Sequence, residues 1–121
     1  MKAIILFGHG ARDERWREPF DRLASLWREQ YQGVSVELAF LEMMQPSLDA
    51  AVSSLVTGGA THITVVPVFF GQGGHLRQDF PKLLAQCQAQ YPQISLGATS
   101  AVGESEAVLQ AIIDFSALAL Q

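Results

Sequence analysis

The chain has 121 residues and a formal net charge of −4; 49% of its residues are hydrophobic and 17% are charged. This length fits one globular domain, expected over residues 1–121, with enough apolar residues for a core. The negative charge argues against nucleic-acid binding, which requires a basic surface. No apolar run approaches the ~18 residues of a membrane span, and no signal-peptide cleavage pattern is present. We therefore expect a cytoplasmic protein without membrane contact.

Short apolar strands alternate with amphipathic helices from the first residues onward. Residues 3–8 form a continuous apolar run, which is typical of a strand buried on both faces. Apolar residues at steps of three and four predict a helix over residues 14–31. Its α-helical part should begin near Glu18, because Pro19 is tolerated only in an opening turn. Residues 34–40 alternate between apolar and polar side chains, which indicates an edge strand.

The remaining elements continue this alternation. Pro46 and Ser47 open a second helix, which Gly58 and Gly59 end. The same patterns predict a strand over 62–69, a helix over 76–91 with Pro81 in its first turn, a strand over 94–98 and a helix over 104–119. The order β-α-β-α-β-α-β-α with short links predicts a three-layer α/β fold of flavodoxin-like topology. Its four-stranded parallel sheet should carry helices on both faces.

Polar side chains gather where the predicted strands end. Gly8, His9 and Gly10 follow the first strand, Glu42 follows the second, and a glycine-rich run with His75 follows the third. The carboxyl ends of parallel strands share one edge of a sheet, where ligands bind. Two imidazoles and one carboxylate form a set that suits first-row divalent metal ions and leaves coordination positions open.

The two histidines and Glu42 could instead have purely structural roles. A single histidine at a strand end is more often a helix cap or loop residue than a metal ligand, and Glu42 alone would be a surface carboxylate. Glycines around both histidines favour a site, because glycine lets the backbone approach a bulky ligand closely. His62 precedes the third strand, at the opposite edge of the sheet, and is expected to be structural. Cys87, the only cysteine, is expected to be a partly buried helix residue.

Motifs of several other enzyme classes are missing from the sequence. There is no G-x-x-x-x-G-K-[ST] phosphate loop, and no G-x-G-x-x-G sequence follows the first strand. A G-x-S-x-G nucleophile motif is also absent. Gly8-His9-Gly10 lacks the preceding arginine of phosphohistidine phosphatases, and Phe69-Phe70-Gly71 stands where a receiver domain would have aspartate.

Three linked motifs resemble one known family over about residues 2–115. They are Gly8-His9-Gly10-Ala11-Arg12-Asp13, then Phe40-Leu41-Glu42 with Pro46-Ser47-Leu48, then Val66-Pro67-Val68-Phe69-Phe70-Gly71 with Gly74-His75 and Asp79-Phe80-Pro81. In this order they are similar to the class II tetrapyrrole chelatases, and most to the sirohydrochlorin chelatase (CbiX/SirB) family in its short single-domain form. Ala11 stands where the family more often has serine.

The resemblance implies a chelatase-like fold and insertion of Co²⁺, Fe²⁺ or Ni²⁺ into sirohydrochlorin, on routes to cobalamin, siroheme or a nickel coenzyme. The metal would be a substrate, with no organic cofactor, and the short form would pair as a homodimer. His9 and His75 would hold the ion and assist the loss of two pyrrole protons, while Glu42 would bind the ion or relay protons. An imidazole can do either at neutral pH, because its ordinary pKa is about 6.5.

The tetrapyrrole is flat, apolar at its centre and rich in peripheral carboxylates. Its face would meet the glycine-rich loops and apolar side chains, and its carboxylates would pair with arginine, whose planar fork suits them. The residues assigned to the tetrapyrrole are Gly8, Gly10, Arg12, Gly73, Gly74, Leu76 and Arg77, with Phe70 and Met43 as further apolar contacts.

Three other functions are compatible with these residues. The main alternative is a metal or tetrapyrrole carrier that binds its ligand without catalysing insertion. A second is a degenerate domain that only dimerises with a complete chelatase, although the presence of both His9 and His75 argues against it. The third is an unrelated flavodoxin-like domain, against which the absence of a flavin phosphate loop weighs.

Overall fold

The computed structural model describes residues 1–71 and 73–121; Gln72 and the side chain of His75 lie outside the described residues. Within the described part, strands and helices alternate in the predicted order. The strands are β1 (Lys2–Gly8), β2 (Ser35–Phe40), β3 (His62–Pro67) and β4 (Ser95–Ala98), and the α-helices are α1 (Glu18–Gln30), α2 (Leu48–Thr57), α3 (Gly74–Gln90) and α4 (Glu106–Ala117). Short 3-10 helices cover Glu14–Arg17, Val102–Glu104 and Leu118–Leu120.

The strands form one parallel sheet in the order β2-β1-β3-β4, which confirms the predicted fold. β2 is an edge strand, as its alternating sequence predicts. The register pairs Gly8 at the end of β1 with Phe40 at the end of β2. It also pairs Phe7 with Pro67, the last residue of β3. These three strands therefore end together at one edge of the sheet, which we call the carboxyl edge.

The sheet separates two apolar cores. One core packs β1, β2 and β3 against α2 and α3, and the other packs Leu6 and its neighbours against Phe20 and the rest of α1. Phe7 is fully buried in the first core. Its ring stacks on Phe80 of α3 with centroids 5.4 Å apart and meets Phe69 edge-on at 5.7 Å. Phe7 thus joins the central strand to α3 and to the segment that follows β3.

The positions of two prolines test the predicted helix boundaries. Pro19 is the second residue of α1, which confirms the predicted start near Glu18. The prediction that Pro81 lies in the first turn of the third helix is wrong, because α3 begins at Gly74 and contains Pro81 in its interior. A proline there removes one backbone hydrogen bond. The preceding Phe80 is buried, so tertiary packing overrides the local preference.

α4 differs from the other helices because it covers no core. Every residue from Gln110 to Gln121 is exposed, including Ile113 at 59%, Phe115 at 76% and Leu118 at 61%. The helix predicted over 104–119 is therefore present but does not lie on the sheet. α1 packs mainly against β1 and β2, so the sheet face that carries α1 is open over β3 and β4.

Two single residues occupy the places predicted for them. Cys87 is buried, and burial, with a smaller effect of the Asp49 carboxylate, raises the pKa of its thiol. His62 lies at the amino end of β3, opposite the carboxyl edge, with its Nδ1 2.9 Å from the Thr61 hydroxyl. None of the described helices is long and apolar enough to span a membrane.

The Phe7→Ala variant should be destabilised by about 3–5 kcal/mol, because removing a large buried ring leaves a cavity. The matched control Phe70→Ala should change the free energy of unfolding by less than about 0.5 kcal/mol, since Phe70 is 68% exposed. Urea denaturation followed by circular dichroism measures both values. Equal losses in the two variants would contradict the central place of Phe7 in the core.

Candidate functional site

The loops after β1 and β2 bring His9 and Glu42 together. The N–H of Leu41 donates to the carbonyl of Gly8 (2.9 Å), and the N–H of Glu42 donates to the carbonyl of His9 (3.1 Å). The pairing of the two strands thus continues past their ends. Beyond the ends of the two strands, Nε2 of His9 lies 3.5 Å from Oε1 of Glu42. Two of the three predicted metal ligands are therefore neighbours at the carboxyl edge.

The His9–Glu42 pair is open to solvent. The two side chains are 55% and 52% exposed, and they form an ion pair only when the imidazole is protonated. An exposed pair of this kind contributes only about 0–1 kcal/mol to stability. The fold does not depend on the contact, so the imidazole nitrogen and the carboxylate oxygens are accessible to a ligand that arrives from solvent.

Gly10 sets how closely the two loops approach. Its φ of +97° lies in the left-handed region that favours glycine. A Cβ at this position would overlap the carbonyl oxygen of Glu42. The close approach that Gly10 permits is thus to the protein's own Glu42 loop, and a larger residue would push that loop away from His9.

The Glu42 loop is also held on its other side. The N–H of Phe40 donates to the carbonyl of Pro46 (2.9 Å), which closes the loop. The Arg17 guanidinium donates to the carbonyl of Gln45 (2.8 Å) and lies 5.1 Å from the centre of the Phe40 ring. These contacts tie the loop to α1 and its preceding turn, so Glu42 is carried by a short, well-held segment.

A cleft of about 510 Å³ opens beside His9, a volume typical of small-molecule sites. Phe69 is buried, and its ring meets the His9 imidazole edge-on with centroids 6.2 Å apart. Phe70, the next residue, is 68% exposed. The lining residues are His9, Val68, Phe69, Phe70, Gly71, Gly73, Gly74 and Leu76. An apolar and glycine-rich surface therefore adjoins the imidazole.

Gly103, which follows β4, positions the segment that lines this cleft. Its N–H donates to the carbonyl of Phe69 (3.0 Å), and a Cβ there would overlap the backbone of Phe70. The sequence patterns assign neither Phe69 nor Gly103 a role in the site, although Phe69 belongs to the third motif. The signal for Phe69 is the alternation along 62–69, which places it with the buried odd-numbered residues; no local pattern marks Gly103 as a contact.

The glycines and the leucine predicted to bind the tetrapyrrole divide into two groups. Gly73, Gly74 and Leu76 line the cleft. Gly8 is buried beneath the carboxyl edge, where a Cβ would overlap the Phe20 ring. The small size of Gly8 therefore serves the packing that supports the edge.

The two arginines predicted to pair with carboxylates are both exposed. Arg12 lies on the loop after β1, and Arg77 lies in the first turn of α3, where its N–H donates to the carbonyl of Gly73 (3.1 Å). Beside Arg12, the side chain and backbone N–H of Arg15 donate to Asp13, and these bonds lower the pKa of the Asp13 carboxyl. The Asp13 carboxylate is therefore hydrogen-bonded to Arg15 within its own turn.

His75 is the second residue of α3, but its side chain lies outside the described residues, so its ligand role stays a prediction. Its neighbours Gly74 and Leu76 both line the cleft. Among the side chains that the structure describes, no three His, Cys, Asp or Glu residues form a group that could hold a metal. The described part of the site is therefore the His9–Glu42 pair.

Comparison with known proteins identifies the family of the chain. The chain matches the CbiX family model over residues 3–117. It belongs to the CbiX family. It is 36% identical over 84 residues to the sirohydrochlorin cobaltochelatase of Methanopyrus kandleri, and the match covers 69% of this chain and 59% of that protein. It is 26% identical over 111 residues to the sirohydrochlorin ferrochelatase of Bacillus subtilis, which covers 92% of this chain and 42% of that protein. The chain thus spans less than two thirds of the length of these relatives.

Solved structures of CbiX-type proteins share the fold. A CbiX protein from Marinobacter aquaeolei, named for cobalamin biosynthesis, has 30% identity and a TM-score of 0.84, and the match covers 99% of this chain and 98% of that one. SirB from Bacillus subtilis subspecies spizizenii in complex with cobalt has 27% identity and a TM-score of 0.79, over 93% of this chain and 48% of SirB. The family resemblance carried by the three sequence motifs is confirmed.

The Gly10→Ala variant should be destabilised by about 1–3 kcal/mol, because alanine is strained at a positive φ and its Cβ would overlap the Glu42 carbonyl. The matched control is Gly33→Ala, where an added Cβ would meet no atom within 4 Å. Urea denaturation compares the two variants. A Gly10→Ala protein as stable as Gly33→Ala would show that the two loops do not pack as described.

Proposed function

We propose that this domain, over residues 1–121, inserts a divalent metal ion into sirohydrochlorin. The observation that carries the proposal is the exposed His9–Glu42 pair, 3.5 Å apart, with His9 lining an apolar cleft. Imidazole and carboxylate bind first-row divalent ions and also accept protons. The cobaltochelatase and ferrochelatase activities named for the relatives support the same chemistry for this chain.

Insertion exchanges two protons for one metal ion. Both pyrrole N–H bonds of the macrocycle break, the ring nitrogens bind the ion, and two protons must leave. We assign His9 to receive the incoming ion and then, once the ion has passed to the ring, to accept a proton at Nε2. Glu42 accepts the second proton or passes it to water, which its 52% exposure allows. His75 is proposed as the second imidazole of the site.

The macrocycle is proposed to lie against the cleft and the loops around it. Phe70 is 68% exposed and Met43 57% exposed, so apolar surface is available on the loops after β3 and β2. Leu76 and its neighbouring glycines supply the cleft surface. Arg12 and Arg77 are assigned to the peripheral carboxylates of sirohydrochlorin, which a planar guanidinium can bind through two parallel hydrogen bonds.

Cobalt and iron are the metals that the comparisons favour. The relatives are a cobaltochelatase and a ferrochelatase, and SirB structures hold cobalt or Fe³⁺. None of these names mentions nickel, so Ni²⁺ serves as the comparison ion in the assay below. We also propose that the protein is cytoplasmic. We further propose that it forms a homodimer, because two copies of a chain that matches 48% of SirB would supply both halves of such a protein.

An anaerobic absorbance assay with sirohydrochlorin and Co²⁺, Fe²⁺ or Ni²⁺ tests the proposal. The parent protein should accelerate insertion of Co²⁺ or Fe²⁺ over the protein-free rate. His9→Ala should lower the rate by about 10²–10⁴-fold, as expected for the loss of a positioned proton acceptor, and Glu42→Gln and His75→Ala should also lower it. The matched control is His62→Ala, which removes an exposed histidine at the opposite edge and should leave the rate unchanged.

The assay also separates the enzyme from the carrier. A spectrum of bound sirohydrochlorin or bound metal, without acceleration of insertion, would contradict the proposal and support the carrier. Equal losses of rate in His9→Ala and His62→Ala would contradict the placement of the site at the carboxyl edge.

A further inference from the structure

The loop that carries Glu42 contains a strained turn. The N–H of Met44 donates to the carbonyl of Glu42 (2.8 Å), which closes a turn of three residues. Met43 at its centre has a φ of 65°, in the left-handed region that long side chains rarely adopt. A three-residue turn with a positive central φ is the rare and strained form of the γ-turn. Such a conformation persists only where the surrounding structure holds it.

The Glu42 loop, residues 41–46, is held on its inner side at its base and in its middle. The base is closed by the N–H of Phe40, which donates to the carbonyl of Pro46 (2.9 Å). In the middle, Met44 is buried in the core that packs against α1. The residue between these two supports, Gln45, is exposed. The outer part of the loop therefore depends on contacts from outside the sheet.

Arg17 supplies such a contact. It is the last residue of the 3-10 helix that precedes α1, and its Nη1 donates to the carbonyl of Gln45 (2.8 Å), 28 residues further along the chain. Its guanidinium lies 5.1 Å from the centre of the Phe40 ring, and its Nε lies 3.3 Å from Oδ1 of Asp21. The ring face and the carboxylate orient the planar guanidinium toward the loop. A charged donor makes a stronger hydrogen bond than a neutral one.

The contact between Arg17 and Gln45 bears on Glu42 through the strained turn. Without this contact Met43 can return to a negative φ, which opens the turn and rotates the peptide that joins Glu42 to Met43. The carbonyl of that peptide lies against Gly10, so it has little room to move without shifting the loop. A shift of the loop would move the Glu42 carboxylate, whose Oε1 now lies 3.5 Å from Nε2 of His9.

We propose that Arg17 is a positioning residue of the site, which holds the Glu42 loop in its strained form and so keeps the Glu42 carboxylate beside His9. Arg17 acts through the backbone of the loop, and it is not among the residues that line the cleft. The inference rests on the proposed function, because Arg17 affects the metal ion only through Glu42. It adds a residue on the α1 side of the loop to those on which insertion depends.

Amide hydrogen exchange, followed for each residue by NMR, tests the hold without metal or tetrapyrrole. In Arg17→Met the N–H of Met44 should exchange about 10-fold faster than in the parent, because its bond to the Glu42 carbonyl opens more often. Arg17→Lys keeps a positive charge and a donor and should restore most of the protection. The matched control is Arg22→Met, since Arg22 is an exposed arginine of α1. An unprotected Met44 amide in the parent, or equal exchange in the parent and Arg17→Met, would overturn the inference.

Titration with Co²⁺ alone shows whether the hold acts through Glu42. Arg17→Met should raise the Kd for Co²⁺ by about 10-fold, as expected when a group that orients a metal ligand is removed, and Arg17→Lys should raise it less. In a Glu42→Gln protein, Arg17→Met should change the Kd by less than about two-fold, because the carboxylate it positions is already absent. Circular dichroism confirms that the variants are folded. An equal rise in both backgrounds would overturn the inference.

The two experiments separate failure of the inference from failure of the proposed function. A Glu42→Gln protein that binds Co²⁺ as tightly as the parent would contradict the proposed function, and with it the assignment of Arg17 to the site, even if Met44 exchange shows that Arg17 holds the loop. Loss of Co²⁺ binding in Glu42→Gln, with unchanged Met44 exchange in Arg17→Met, would support the proposed function and overturn the role of Arg17.

Discussion

The parallel register of β1 between β2 and β3 is the constraint on which the site depends. It places Gly8 beside Phe40 and Phe7 beside Pro67, so three chain segments leave the sheet at one edge. The N–H groups of Leu41 and Glu42 extend the β1–β2 pairing into the loops. A shift of either strand by one residue would reverse which side chains face each core. Burial of the central strand in two cores therefore also fixes the position of His9 relative to Glu42.

The groups that stabilise the fold differ from the groups at the carboxyl edge that are proposed to act on the metal ion. The apolar cores and the Phe7 aromatic contacts hold the sheet, while the exposed His9–Glu42 pair adds little to stability. An exposed pair keeps its imidazole nitrogen and carboxylate oxygens accessible, as the proposed transfer of a metal ion would require. Gly10 controls their spacing through backbone contact with the Glu42 loop rather than through a side chain. The positions of His9 and Glu42 thus depend on backbone geometry, while their side chains stay half exposed.

The sequence predicts the sheet and part of the site for clear physical reasons. Apolar runs ending in glycine and a polar residue locate strand ends, and parallel order then brings His9 near Glu42. The sequence could not reveal that Gly10 approaches the Glu42 carbonyl, or that Gly103 approaches Phe70, because those contacts depend on how separate loops pack. Nor does the sequence pattern reveal that α3 begins at Gly74 and contains Pro81 in its interior. The hydrophobic pattern of α4 predicts a helix that buries one face, whereas Ile113 and Phe115 are exposed in the described structure.

We propose that His9 and Glu42 receive the metal ion that is inserted into sirohydrochlorin. Anomalous diffraction from crystals soaked anaerobically with Co²⁺ tests it most directly, because the cobalt signal reports position independently of any rate. We expect a peak about 2.0–2.1 Å from Nε2 of His9, the distance at which imidazole nitrogen binds zinc, with a Glu42 oxygen also coordinated, and no peak at this place in His9→Ala. A peak confined to His62 at the opposite edge, or an unchanged peak in the His9→Ala crystal, would contradict it.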